Sequence, residues 1–82
     1  MFIIEWHDSA LRELDKLDNF LAKIIIKKID KLKENHFSKD VIRLMGREEY
    51  RLRVGDYRVI FEVIGNEVLF IKKIGHRKNI YE

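Results

Sequence analysis

The chain contains no cysteine and no proline, only four glycines and a single tryptophan, and no long apolar run. Without cysteine there can be no disulfide and no thiolate metal site, and the composition fits a reducing, cytosolic setting. Its three histidines, His7, His36 and His76, stand alone, without the paired spacing of metal ligands. No metal or cofactor is expected. The apolar start of "MFIIEWHD" is too short for a secretory signal and reads as a first strand. No stretch approaches the roughly twenty apolar residues of a membrane-spanning helix, so no membrane partner is expected and the protein is expected to be cytoplasmic. Eighty-two residues make one domain, 1–82. A chain this short buries only about 60% of the surface that it exposes when unfolded, so its stability is marginal and gains from any partner that binds the folded state.

What is present is charge, unevenly placed. From Asp8 to Asp40 there are eight basic and seven acidic residues, and every cation but Arg12 is a lysine. From Val41 to Glu82 there are nine basic and six acidic residues, including six of the seven arginines. Arginine binds phosphate bidentately and stacks on bases, whereas lysine acts as a hydrated point charge. The second half is therefore the candidate face for an anionic partner, with nucleic acid first among the possibilities.

The chain pattern predicts an α+β fold. Phe2 to Trp6 forms a strand; Asp8 or Ser9 caps a first helix carrying Leu11, Leu14 and Leu17; Asp18 and Asn19 begin a second helix that runs to about Glu34. The second helix has an apolar stripe of Leu21, Ile24, Ile25, Ile29 and Leu32, with Lys23, Lys27, Lys28, Lys31 and Lys33 mostly on its solvent side. The two should form an antiparallel helical hairpin. From Val41 the period changes to two, giving a three- or four-stranded antiparallel meander with turns at Gly46, Gly55-Asp56 and Gly65-Asn66, covered on one face by the helices.

Within that meander lies "EYRLRVGDYRVIF". A Gly-Asp turn of type II′ pairs Arg53 with Arg58, Leu52 with Val59 and Tyr50 with Phe61. Tyr50, Leu52, Val54, Tyr57, Val59, Phe61 and Val63 then face the core, and Arg51, Arg53, Arg58, Ile60 and Glu62 face away. A two-residue turn at Gly65-Asn66 would bring Lys73 beside Arg58, although it also turns Lys72 toward the core, which a bulge would repair. His76, Arg77 and Lys78 follow at the end of the sheet. Like charges opposed across a sheet destabilise it by some tenths of a kcal/mol up to about 1. A marginal domain that keeps them points to an anion-binding site rather than solvated edge charge.

"YRLRVGDYRVIFEV", "VLFIKKIGHRKNIY" and the opening "WHDSALRELDKL" together resemble toxins of the RelE/ParE superfamily, over almost the whole chain. The resemblance implies the same strand, helical hairpin and sheet. It also implies a toxin held by a cognate RelB-like antitoxin in a hetero-oligomer. RelE-type members are ribosome-dependent endoribonucleases that cut mRNA in the ribosomal A site; ParE-type members poison DNA gyrase without cleaving nucleic acid. Carried onto this chain, the RelE-type site maps to Arg51, Arg53, Arg58, Arg77 and Tyr81, and favours the RelE branch. On that reading Arg53, Arg58, Arg77 and Tyr81 are catalytic, while Arg51, Lys73, His76 and Lys78 bind RNA phosphate. Some ribonuclease members have lysine at the positions of Arg51 and Arg53. Arginine does not give up its proton, so a base would have to come from Tyr81 or His76. A third possibility is a module that blocks translation by occupying the ribosome.

Overall fold

A computed structural model describes residues 1–35, 38–44 and 48–80; His36, the expected Gly46 turn and Tyr81 lie outside the described residues. The elements run β1 (Ile3–Trp6), α1 (Asp8–Asp15), α2 (Asn19–Lys31), β2 (Val41–Arg43), β3 (Glu49–Val54), β4 (Tyr57–Ile64) and β5 (Val68–His76). They build one five-stranded sheet in the order β1-β5-β4-β3-β2. The meander is antiparallel throughout, and β1 closes it by pairing in parallel with β5. This is the α+β architecture that the residue pattern predicts. Among the described residues no helix is long and apolar enough to cross a membrane.

Both helices start on side-chain caps. Asp18 accepts a hydrogen bond from the backbone N–H of Leu21, satisfying one of the donors that a helix start leaves open. The first helix is capped by His7, one residue before the expected Asp8 or Ser9: His7 Nδ1 accepts from the Ser9 N–H at 3.0 Å. The chain is already fixed there, because the His7 N–H donates to the Ile71 carbonyl at the end of the parallel pairing. Helix rotation then decides the buried stripe. Ala10 is fully buried, with Leu14 and Leu17 packed behind it, while Leu11 is exposed. On α2 the stripe is Leu21, Ile25 and Ile29, continued by Leu32, and Ile24 is turned outward.

The helix-covered face of the sheet is the core, formed by Tyr50, Leu52, Val54, Val59, Phe61, Leu69, Ile71 and Ile74 with the helix stripes. Trp6, Tyr57 and Val63 pack at its margin. The β3–β4 register is the expected one, with Arg53 opposite Arg58 and Tyr50 opposite Phe61. Gly55 takes φ +58° while Asp56 does not enter the left-handed region, as a turn that wants glycine first requires.

The register of β4 with β5 departs from the expectation at its turn, and it carries the bulge at Lys72 that the expected pairing needed as a repair. Gly65 and Asn66 both take φ +58°, and Ile64 pairs with Val68, so Glu67 is one residue more than the expected loop. Its carbonyl accepts from the Ile3 N–H and so opens the β1–β5 pairing. That single insertion turns Leu69 and Ile71 to the core, since a one-residue slip exchanges the faces of a strand. A bulge then falls between Ile60 and Phe61, where Lys72 has no partner on β4. Its ammonium reaches Glu49 instead of the core. The two insertions move Lys73 from Arg58 to a position opposite Ile60, and Arg58 faces Gly75.

Candidate anion-binding site

The face away from the helices carries a cleft of about 180 Å³ lined by Lys39, Asp40, Ile42, Arg51, Arg53 and Arg58. Four of the six lining residues are cations and one is an acid. Arg51 and Arg53 alternate on β3 with buried Leu52 and Val54, and Arg58 comes from β4 across the Gly55-Asp56 turn. Strand periodicity therefore gathers all three guanidinium groups on one side.

The opposed Arg53–Arg58 pair is less repulsive than the pairing alone implies. Arg53 Nη2 donates to Asp40 Oδ1 at 2.8 Å. Arg58 Nη1 instead donates to the carbonyls of Gly55 and Tyr57, both at 2.9 Å, and so holds its own turn. Asp40 also accepts from Lys28 Nζ at 2.7 Å on its other oxygen. Hydrogen bonds from Lys28 and Arg53 outweigh partial burial and hold the Asp40 carboxyl well below the usual carboxylate range, at about 2. Ile60 is buried to 3% exposure on this charged face, flanked across the strands by Arg51 and Lys73. Long cationic side chains at those two positions can cover such a residue with their aliphatic stems.

The remaining candidates are spread around this cleft. Lys73 lies on the same face, beyond Ile60. Arg77 is exposed at the end of the sheet, its N–H bonded to the Asp56 carbonyl and its Nε 3.7 Å from Asp56 Oδ1, so it meets the same turn that Arg58 holds. His76 pairs in register with Tyr57, which turns its ring toward the helix-covered side, and the two rings meet edge to face at 5.4 Å. Its Nδ1 accepts from the N–H of exposed Lys78. His76 thus lines a separate cleft of about 560 Å³, with Ser9, Glu13 and Tyr57 among its walls. Arg51, Arg53 and Arg58 come together and Arg77 meets their turn; Lys73 shares their face by register but lines the cleft of His76; Tyr81 lies outside the described residues. Asp40 and Lys39 were not legible as site residues, because only the pairing of the short β2 with β3 brings them to Arg53. Among the described residues no group of three His, Cys, Asp or Glu side chains gathers that could hold a metal ion.

Almost the whole chain is similar to toxins of toxin–antitoxin systems. Residues 4–81 match the family model described as ParE toxin of type II toxin-antitoxin system, parDE. A curated protein of Methanocaldococcus jannaschii named "Putative toxin RelE1" is 34% identical over 99% of this chain and 96% of its own length. A RelE–RelB complex from Pyrococcus horikoshii contains a chain that superposes with TM-score 0.83 at 28% identity, covering 96% of this chain and 98% of that one. The RelB–RelE antitoxin–toxin complex of Methanococcus jannaschii gives TM-score 0.77 at 25% identity, over 94% of both chains. This chain belongs to the ParE-toxin family of type II toxin–antitoxin systems, within the RelE/ParE superfamily.

Proposed function

We propose that this toxin inhibits translation as a ribosome-dependent mRNA endoribonuclease, and that the arginine cleft is where the RNA phosphate binds. The observation that carries the reading is the convergence of Arg51, Arg53 and Arg58 on one small cleft open to solvent. Guanidinium groups match phosphate oxygens in geometry and charge. In the proposed reaction the substrate's own 2′-OH attacks the adjacent phosphorus in line. The P–O5′ bond breaks, leaving a 2′,3′-cyclic phosphate on one fragment and a 5′-hydroxyl on the other. One proton leaves the 2′-OH and one reaches the departing 5′-oxygen, so the step balances without consuming water.

Arg53 and Arg58 are assigned to the scissile phosphate, where they stabilise charge on the phosphoryl oxygens. Preorganised donors of this kind supply the largest share of such catalysis. Arg51 holds a neighbouring phosphate, and Arg77, beside the turn, clamps the scissile group or assists the leaving oxygen. Lys73 and Lys78 extend the cationic track, and His76 contacts RNA only where the strand passes the sheet's end. Tyr81 is assigned as base or as the group that orients the 2′-OH. The ribosome positions the mRNA in its A site.

A RelB-like antitoxin is the proposed cytoplasmic partner, in a hetero-oligomer, since the structural relatives include RelB–RelE complexes. On α2, exposed Phe20, Ile24 and Ile26 lie among Lys23, Lys27 and Lys31, a surface suited to an acidic amphipathic segment. Charge reversal at Lys27 and Lys31 should weaken antitoxin binding, and unchanged affinity by calorimetry would remove α2 from that interface.

The family-model match favours a second reading: a ParE-like inhibitor of DNA gyrase, for which the arginine face is a binding surface without chemistry. Programmed ribosomes carrying end-labelled mRNA separate the two. New 5′-hydroxyl ends in the A-site codon that require the ribosome establish the ribonuclease. Intact mRNA together with loss of gyrase supercoiling establishes the alternative. Translation arrest with intact mRNA and unaffected gyrase leaves simple occupancy of the ribosome.

A further inference from the structure

Asp40 is out of place in an anion-binding cleft. It is the one acid among the six lining residues, and a carboxylate there opposes a phosphate. It is nevertheless tightly constrained, only 12% exposed and bonded through both oxygens, to Arg53 at 2.8 Å and to Lys28 at 2.7 Å. Its backbone is tied to the same partner, because the Arg53 N–H donates to the Asp40 carbonyl at 2.8 Å. Lys28 closes the loop by donating to the Arg53 carbonyl at 3.2 Å. A helix, the residue preceding β2 and the end of β3 thus meet at one carboxylate.

The contrast with Arg53 itself is informative. Its side chain is 60% exposed, so little packing restrains it, and an unrestrained arginine samples many rotamers. Arg58 has two turn carbonyls to fix it; the ion pair with Asp40 gives Arg53 a comparable restraint. Lys28, by contrast, does not line the cleft and reaches the carboxylate from the helix side.

We propose that Asp40 is a positioning residue of this site: its carboxylate holds the Arg53 guanidinium in the wall of the cleft, ready for phosphate. Asp40 touches neither substrate nor reacting atoms on this account. It lowers phosphate affinity by its charge and raises the efficiency of the bound complex by fixing the donor. Lys28 serves the stability of the clasp and not the chemistry. The activity part of this inference rests on the ribonuclease reading; the ordering of Arg53 does not.

Asp40→Asn and Lys28→Met, compared with wild type, test the proposal. Asp40→Asn should lower kcat for cleavage of ribosome-bound mRNA on the order of 10- to 100-fold, as expected for a misplaced catalytic group, without raising KM. Short RNA oligonucleotides should bind it at least as tightly as wild type. The Arg53 Nε–H resonance should lose its ordered relaxation behaviour. Lys28→Met should unfold at lower urea concentration yet keep Arg53 ordered and cleavage within about twofold, because the ion pair of Asp40 with Arg53 survives. Equal losses of cleavage in both variants, in step with stability, would show a purely structural clasp and overturn the proposal. So would an Arg53 resonance that Asp40→Asn leaves unchanged. Should wild type cut no mRNA, the ribonuclease reading falls alone, and the Arg53 relaxation and oligonucleotide affinities still decide the role of Asp40.

Discussion

On β3, Tyr50, Leu52 and Val54 point toward the helices and keep no more than 4% of their surface exposed, whereas Arg51 and Arg53, one residue away, point to the opposite side and line an open cleft. The same backbone serves both sets. On the covered face, burial of apolar area at about 25 cal/mol per Å² is what holds the fold together. On the other face, charge is gathered and then restrained by local partners: Asp40 for Arg53, turn carbonyls for Arg58, Asp56 near Arg77. The comparison teaches that a marginal domain can carry a repulsive cluster when opposed cations such as Arg53 and Arg58 have separate restraints. Ile60 departs from the division, an apolar side chain buried on the charged face.

If the two faces are separable, substitutions should divide into those that affect folding and those that affect activity. The largest expected effect is on the covered side: Phe61→Ala, at a fully buried ring stacked on Tyr50, should lower the unfolding free energy by about 3–5 kcal/mol, read by urea denaturation. Next, Arg58→Ala should reduce mRNA cleavage roughly 100- to 1,000-fold, the usual effect of removing one charge-stabilising donor, in quantified single-turnover assays. Its stability should fall by only about 1 kcal/mol, for the lost bonds to the turn.

Gly55→Ala sharpens the boundary between the faces. A Cβ there would meet no atom within 4 Å, but φ is +58°, so backbone strain of about 1–2 kcal/mol should appear in thermal unfolding while cleavage persists. A subtler effect is in pH. The folded-state pKa of Asp40 is depressed to about 2, so its stabilising contribution is complete above the unfolded value of about 3.9 and is lost as pH falls through 2. The difference in urea midpoint between wild type and Asp40→Asn should therefore be constant from about pH 5 to 7 and shrink between about pH 4 and 2. The smallest effect belongs to Lys16→Ala, which breaks an exposed pair with Glu13 and should change stability by less than about 0.5 kcal/mol in the same assay.

Local chemistry made part of this legible in advance. Gly55-Asp56 dictates its turn, the turn dictates the β3–β4 register, and that register places the three arginines together. Asp18 before a helical stripe announces its own cap. What escaped depends on distant parts of the chain. The β4–β5 register required knowing that Glu67 would serve β1; a bulge at Lys72 was foreseeable from the inward turn of its charge, but its partner Glu49 was not. The His7 cap depends on where the parallel pairing with β5 ends. Asp40, Lys28 and Arg53 have no mutual spacing that marks them, and only the docked α2 and β2 bring them within hydrogen-bond distance. The lysine-rich face of α2 therefore looked uniformly solvated, although Lys28 belongs to an ion-pair network.

The central claim is that the arginine face performs RNA chemistry independently of the stability of the fold. The most direct measurement takes one preparation each of wild type and the Arg53→Ala/Arg58→Ala variant, and follows both A-site mRNA cleavage on programmed ribosomes and urea unfolding. The account predicts that cleavage disappears from the variant while its unfolding midpoint stays well above assay conditions. Cleavage that survives in the variant, or that vanishes only because the variant is unfolded, would contradict it.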